Sequence, residues 1–243
     1  MPIGVIINTL SVVVGGAVGA VVGNRLSMDF KEKLNMILGV CSMGMGISTI
    51  VLMKNMPAVI FSVILGTAIG LAIHLGDKIN KLAQGMQKII SRIIKVDNSS
   101  ITQEDYISTL VTCIVLFCAS GTGIYGAIVS GMTGDHSILI AKSILDLFTG
   151  LIFSCTLGLV VCIVAIPQFI LFLLLFLLAG FIYPMTNDTM ILDFKACGGF
   201  IMLATGFRMI KVKMFPVADM IPAMIIVMPL SAFWVTIVLP LVS

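Results

Sequence analysis

Residues 131–150 read GMTGDHSILIAKSILDLFTG and place two charged side chains within a run of apolar residues. Lys142 and Asp146 are four residues apart, so on a helix they lie on one face, a turn from each other. A charge at membrane depth costs about 2.5–3.5 kcal/mol on insertion scales. The fold must therefore use this pair in transport chemistry or satisfy it as an ion pair that locks helix packing.

The composition around this stretch is that of an integral membrane protein. The 243 residues are 59% hydrophobic and 10% charged, and the mean hydropathy is +1.20. Soluble domains carry about 25% charged residues. The six cysteines fall in apolar segments, without CxxC spacing or a histidine partner, so we expect free thiols and neither a metal site nor a cofactor.

Apolar runs long enough to cross a membrane recur about eight times, since roughly 20 helical residues span the hydrocarbon core. They cover residues 3–23, 34–53, 57–74, 107–130, 137–164, 165–183, 190–210 and 217–240. The first run lacks a basic segment before it and is expected to be retained as a helix. Ile166–Pro167 is expected to separate the fifth span from the sixth. These runs predict an all-α polytopic membrane protein, with residues 1–243 as a single transmembrane domain.

The positive charges are distributed unequally between the two sides of the predicted bundle. Eleven of the 14 Lys and Arg residues share one side: Arg25, Lys31, Lys33, Lys78, Lys81, Lys88, Arg92, Lys95, Arg208, Lys211 and Lys213. The other side holds Lys54, Lys142 and Lys195. By the positive-inside rule, this asymmetry predicts that both termini lie outside a bacterial cell membrane.

Residues 77–95, DKINKLAQGMQKIISRIIK, differ in kind from the apolar runs. Apolar residues recur at helical spacing, and the lysines and arginine lie off that stripe. The pattern predicts a cytoplasmic amphipathic helix. Its role is either to dock on anionic lipid or to connect two spans by packing on the bundle.

The two ends of the chain share a faint repeat. Asp29-Phe30-Lys31 precedes Pro57-Ala58, and Asp193-Phe194-Lys195 precedes Pro222-Ala223 at nearly the same spacing. The repeats would cover residues 3–75 and 165–240, on either side of a central helix pair at 107–164. Because two spans intervene, the repeats would be inverted across the membrane, which is typical of secondary transporters. Duplication also builds channels and scaffolds.

The fourth span is rich in glycine and hydroxyl side chains, including Ser120, Gly121, Thr122 and Gly123. Each glycine costs a helix about 1 kcal/mol relative to alanine. One interpretation is a broken helix whose free backbone groups line a cavity. The other is close packing of neighbouring helices on small residues.

The fifth span begins after a polar turn. Asp135 or Ser137 can cap its first turn, and His136 at a helix start is either a surface residue or part of a gate. Lys142, Ser143 and Asp146 share one helical face with Thr149 and Gly150. If the helix starts at Ser137, Asp146 lies about 14 Å along it, near the bilayer centre.

A family resemblance rests on this central stretch. The run Gly131-x-x-Gly134-Asp135-His136-Ser137, with Lys142-Ser143 and Leu145-Asp146 following, resembles the signature of the YdfK/YqgA-type bacterial membrane proteins, called domain of unknown function 554. Gly15-Gly16, Gly198-Gly199 and Ile221-Pro222-Ala223 are similar to that family too. The resemblance implies several spans in a bacterial inner membrane and implies no particular activity.

The sequence thus favours a secondary transporter of a small polar or anionic solute. Lys142, Asp146, Ser143, Ser120, Thr122, Gly121 and Gly123 would line its path, and Asp135, His136 and Ser137 would form a helix cap or gate. The alternative is a membrane scaffold in which Lys142 and Asp146 are a structural ion pair. We expect no enzyme, because no hydrolase or metalloprotease motif occurs. The expected partners are the lipid bilayer, an unknown solute and a second copy in a homodimer, but not nucleic acid.

Overall fold

A computed structural model describes residues 1–22, 25–93, 103–118 and 120–242. Within these ranges the chain forms helices and short connections, and no β-strand occurs in the described part. The helices are α1 (Ile3–Val22), α2 (Met28–Ile50), α3 (Met56–Ala72), α4 (Leu75–Ile93), α5 (Gln103–Cys118), α6 (Gly121–Thr133), α7 (Ser137–Leu157), α8 (Val160–Ile182), α9 (Asp188–Met209), α10 (Pro222–Phe233) and α11 (Leu239–Val242). A π-helical segment, Trp234–Val238, joins α10 to α11.

Seven helical segments are long and apolar enough to cross a membrane. They are Ile3–Val22, Asp29–Ile50, Thr109–Thr133, Ser137–Leu157, Val160–Met185, Asp188–Met209 and Val217–Leu241. An eighth arises if α3 is counted together with α4, from which it is bent by 59°. The 17 residues of α3 rise about 26 Å, at the lower limit for crossing the hydrocarbon core. The multi-pass helical architecture is therefore confirmed, with seven clear spans and α3 as the marginal one.

The boundary between α7 and α8 lies earlier than expected. The chain turns at Gly158, whose φ of +66° is a conformation that glycine adopts without a side-chain clash. Pro167 lies inside α8 and does not divide it. The predicted break at Ile166–Pro167 is therefore wrong, because a glycine with positive φ ends the helix two turns before the proline.

The fourth span is broken between α5 and α6. The side chain of Ser120 accepts a hydrogen bond from Gly123 N and caps α6, which therefore begins within the span. The glycines of α6 also pack closely: a Cβ at Gly123 would overlap the Phe172 ring of α8, and one at Gly126 would lie 3.0 Å from Leu139 of α7. A broken helix and close packing thus occur together.

The helices pack in pairs through small residues. A Cβ at Gly46 of α2 would lie 2.7 Å from the carbonyl oxygen of Gly199 on α9, and one at Gly39 would lie 3.0 Å from that of Gly206. Helix α1 packs in parallel along α7, where its glycines meet the α7 backbone, and it also packs along α8; α3 packs along α10. The backbones approach closely at these glycines, as is common in membrane helix pairs.

We call the end of the bundle where α2 begins and α9 ends the basic end. Lys211 pairs there with Glu32 at 3.0 Å. Helix α4 lies at this end, with its lysines exposed and Ala83 and Gln87 buried. Of the helix expected at 77–95, the last two residues and the side chain of Arg92 lie outside the described part.

Candidate functional site

The buried face of α7 carries an ion pair at its middle. Lys142 Nζ lies 2.5 Å from Asp146 Oδ2, and the two side chains are 4% and 8% exposed. The pair joins successive turns of one helix, as the four-residue spacing predicts. Two opposite charges in contact form a neutral unit, and burial of this unit costs far less than burial of either charge alone.

Two amides complete the surroundings of the carboxylate. Asn8 of α1 donates from Nδ2 to Asp146 Oδ2 at 2.8 Å, and Gln168 of α8 donates from Nε2 to the same oxygen at 3.3 Å. The Gln168 amide also donates to Asn8 Oδ1 at 2.8 Å. Three helices are thereby tied at one carboxylate oxygen. Gln168 Oε1 is buried without a hydrogen-bond partner, so the network keeps one free acceptor.

The ammonium of Lys142 also lies near two aromatic rings. Its Nζ is 6.0 Å from the centre of the Phe117 ring and 5.9 Å from that of Phe172. Both rings are fully buried. The faces of aromatic rings attract cations, and this attraction is stronger where water is excluded. The rings therefore help to hold a charged lysine at a depth where it would otherwise be costly.

A small polar cavity of about 30 Å³ adjoins the ion pair. Lys142, Asp146 and Thr149 of α7 line it together with Ser120 and Thr122 at the start of α6. Ser42 of α2 and Thr205 of α9 supply two further hydroxyls. A cavity of this size with several polar walls can hold one or two water molecules.

Two larger clefts at the basic end share walls with this cavity. One, of about 330 Å³, has Thr149 and Met209 in common with it and continues to Lys31, Glu32 and Lys211. The other, of about 110 Å³, shares Ser120 and Thr205 and continues to Asn80 and Arg208. Both clefts therefore lead from the buried pair toward the same end of the bundle.

The opposite end is held by a buried carboxylate. Asp193 of α9 has no exposed surface and accepts hydrogen bonds from the backbone N–H groups of Lys54 and Asn55 at 2.8 and 2.9 Å. It also accepts from Asn55 Nδ2 at 2.8 Å and from Ser231 Oγ at 2.7 Å. These four bonds tie α9 to the start of α3 and to α10.

The polar turn before α7 lies at this same end. Asp135 Oδ1 accepts from Ser137 N at 3.0 Å and Ser137 Oγ at 2.6 Å, and Lys195 Nζ lies 3.3 Å from Asp135 Oδ2. The hydrogen bonds from Ser137, supported by Lys195, hold the pKa of the Asp135 carboxyl below its ordinary value. His136 Nδ1 lies 2.7 Å from Ser130 Oγ. The turn therefore joins α6, α7 and α9.

Some of the residues expected to line the path border the polar cavity in the structure, and others do not. Lys142, Asp146, Ser120 and Thr122 all border the polar cavity. Ser143 is buried beside them, but its hydroxyl donates to Leu139 O of its own helix. Gly123 packs on Phe172, and Gly121 is the first residue of α6. No group of three or more metal-ligating His, Cys, Asp or Glu side chains occurs among the described residues.

Comparison with known proteins agrees with a membrane protein. The family model described as "Protein of unknown function (DUF554)" matches residues 3–232. The chain belongs to the DUF554 family. The "Uncharacterized protein YqgA" of Escherichia coli (strain K12) is a DUF554 relative with 44% identity over 96% of this chain and 98% of its own length. The "Uncharacterized membrane protein YdfK" of Bacillus subtilis (strain 168) is 23% identical over 92% of this chain and 93% of its own. No solved structure matches the chain.

Three important residues of this DUF554 protein were not expected at the site. Gln168 is an amide in an otherwise apolar run, and such a residue at membrane depth signals a buried partner. Asp193 was considered only as part of the repeated Asp-Phe-Lys motif. A carboxylate within a span also indicates a buried partner. Asn8 is a lone amide in the apolar first span, and its hydrogen bond reaches Asp146.

Proposed function

We propose that this DUF554 protein is a secondary transporter of a small polar or anionic solute. One observation carries the proposal: a buried Lys142–Asp146 pair borders a polar cavity at a broken helix, and two clefts lead from it toward the basic end. Transporters keep their sites near the bilayer midplane, where a discontinuous helix supplies free backbone groups. A structural ion pair alone requires neither the cavity nor the break.

The proposed motion is alternating access between two inverted repeats. The pairing of α1 with α8, α2 with α9 and α3 with α10 supports it, because each pair joins corresponding helices of the two proposed repeats. Inverted repeats let near-equivalent halves open one site to either side of the membrane. The repeats would then rock against each other about the glycine contacts between α2 and α9.

Asp193 and Asp29 occupy corresponding places in the two proposed repeats, but they differ in burial, as expected if the structure is one state of an alternating-access cycle. Asp193 is fully buried and closes one end by capping α3. Asp29 holds the matching place in the proposed first repeat, but it is 72% exposed and pairs with Lys33 at 2.8 Å. In the opposite state Asp29 would cap the start of α10 and close the basic end, while Asp193 would release α3.

The proposed orientation puts the basic end in the cytoplasm of a bacterium and both termini outside. The excess of lysine and arginine at that end supports it. Helix α4 would lie along the inner surface, since Lys78, Lys81 and Lys88 are exposed there beside the exposed apolar side chains Leu82 and Ile89. Reporter fusions at the C-terminus would test this orientation: alkaline phosphatase should be active and green fluorescent protein dark.

Flux measurements on one variant that removes the carboxylate charge test the function. Protein in proteoliposomes with a pH-sensitive dye inside is exposed to gradients of formate, acetate, chloride and small neutral solutes. Asp146→Asn should abolish the flux or the accompanying proton movement while the protein remains folded. Ser143→Ala is the matched control, because Ser143 is buried on the same helix and its hydroxyl bonds only to Leu139 O. Undiminished flux in folded Asp146→Asn would overturn the proposal.

The scaffold remains the alternative, and one observation favours it. Asp146 Oδ2 already accepts three hydrogen bonds from Lys142, Asn8 and Gln168, so the carboxylate is well satisfied without any ligand. In a scaffold, the three helices would be locked at this point permanently. Stability and flux measured together on charge variants of the pair separate the two functions.

A further inference from the structure

The polar cavity beside Lys142 has unused hydrogen-bond donors. Thr122 and Thr149 are 5% and 3% exposed, border the cavity, and make no side-chain hydrogen bond to any described residue. Buried hydroxyls usually have partners, because an unpaired one loses its water without compensation. The Thr122 and Thr149 oxygens are not among the enclosed polar atoms that lack a partner, so both hydroxyls are open to the cavity and can donate to a ligand that accepts hydrogen bonds.

The charges around the cavity have one sign in excess. The 13-residue helix α6 begins here, capped by Ser120, and the N-terminus of a helix carries a partial positive charge. The Lys142 ammonium lies on the same cavity. Asp146 is the only carboxylate among the described lining residues, and its Oδ2 is already shared by the lysine and two amides. A second cation would meet the ammonium, whereas an anion would meet donors.

We propose that this cavity binds one small monovalent anion between Lys142, the Thr122 hydroxyl and the N-terminus of α6. The inference rests on the proposed transport function, for which it names the substrate class. The cavity volume of about 30 Å³ suits a ligand of a few heavy atoms, such as chloride, nitrate or formate. Sugars and larger metabolites need pockets of about 300 Å³ or more.

Asp146 acts as an internal competitor for the same ammonium. When the anion binds, it takes the place of the carboxylate as partner of Lys142. The carboxylate then accepts one proton from the cleft at the basic end, forming an O–H bond, so that the buried charge stays balanced. One proton therefore accompanies one anion.

The other groups that face Asp146 do not supply this proton. In the described part, helices α1 and α8 present the amides of Asn8 and Gln168. Helix α5 presents the thiols of Cys113 and Cys118, which are the titratable neighbours besides Lys142. Neither thiol borders the cavity. The proton must therefore arrive from water in the clefts.

Anion binding to the purified protein tests the site without requiring transport. The thermal midpoint is measured in detergent against sodium nitrate, chloride and formate, with sodium gluconate keeping the ionic strength constant, and the rise in midpoint gives an apparent Kd. Thr122→Val should weaken binding by about 2- to 10-fold, since it removes one hydrogen bond. Asp146→Asn should tighten binding by about 10-fold or more, since it removes the competing charge.

Thr67→Val is the matched control, because the Thr67 hydroxyl bonds only to Val63 O on α3, away from the cavity. It should bind like the wild type. The anion site is overturned if none of the three anions raises the midpoint or if Asp146→Asn binds more weakly. If anions bind but no solute crosses the membrane in proteoliposomes, the transport function is overturned and the anion site stands. If a cation or neutral solute is transported and no anion binds, the anion site is overturned and the transport function stands.

Discussion

Asp193 and Asn55 are joined by two hydrogen bonds, from Asn55 N to Oδ1 at 2.9 Å and from Asn55 Nδ2 to Oδ2 at 2.8 Å. A carboxylate on α9 therefore accepts from the backbone N–H groups of Lys54 and Asn55, which lie immediately before α3. The negative charge also suits the positive end of the α3 dipole. This contact holds the end of the bundle that lies opposite the two clefts.

Replacing this carboxylate should destabilise the protein. Asp193→Asn presents an amide NH₂ to groups that are themselves donors, and hydrogen bonds to charged groups contribute about 1.5–3 kcal/mol each. We expect a loss of about 3 kcal/mol in thermal unfolding in detergent. Asp188→Asn is the control, because Asp188 lies in the first turn of the same helix and is exposed. Equal unfolding midpoints for the two variants would show that the buried contact contributes nothing.

The turn before α7 should give a defined pH dependence. The pKa of Asp135 is lowered in the folded state, first by Ser137. Its contribution to stability is therefore present above the ordinary aspartate pKa of about 3.9 and is lost as the pH falls through the lower folded value. The effect is modest, because the side chain is 41% exposed.

The measurement compares unfolding midpoints of wild type and Asp135→Asn from neutral pH to about pH 3. The wild type should be more stable near neutrality, and the difference should shrink in acid. Ser137→Ala should reduce the same difference, because it removes the hydroxyl that donates to Asp135. If the difference in unfolding midpoint between wild type and Asp135→Asn stays constant down to the lowest pH, the Asp135 carboxylate is not the source of the pH dependence.

Much of this architecture follows from residues that are legible in the sequence. Apolar runs of about 20 residues give the spans, and the four-residue spacing of Lys142 and Asp146 gives the ion pair. The glycines of the fourth span predicted either a break or close packing; both occur, and Ser120 caps the helix after the break. These features depend on the spacing of nearby residues and on the low helix propensity of glycine, and both can be read from the sequence.

Other features depend on contacts between distant parts of the chain. Gln168 reaches Asp146 across 22 residues, and Asp193 reaches Asn55 across 138. No local pattern specifies such partners. Pro167 misled the assignment of the α7–α8 boundary, because a proline is tolerated within a membrane helix whose neighbours satisfy the freed carbonyl, whereas Gly158 adopts a positive φ and ends α7.

Stability and flux of charge variants, measured together, distinguish a structural ion pair from one that takes part in transport. Lys142→Met or Asp146→Leu alone leaves an unpaired buried charge and should cost about 3–5 kcal/mol. In a pure lock the double variant regains most of that stability, because apolar side chains pack where the pair was. In the proposed transporter the double variant also regains stability but loses all flux. Thermal unfolding in detergent and flux in proteoliposomes are measured on the same three preparations, and flux in the double variant would contradict a transport role for the pair.

A close backbone contact between α2 and α9 gives a prediction that has a control position on the same helix. A Cβ at Gly46 would lie 2.7 Å from the carbonyl oxygen of Gly199 and 2.8 Å from the backbone nitrogen of Leu203. Backbone atoms cannot move aside as a flexible side chain does, so Gly46→Ala should separate the helices and lower the unfolding midpoint. At Gly44, two residues earlier, nothing lies within 4 Å of the added carbon. Gly44→Ala should therefore be neutral or stabilise the helix, by up to about 1 kcal/mol. Two variants that melt alike would show that the α2–α9 contact is looser than the glycines indicate, and the pivot proposed for alternating access would lose its support.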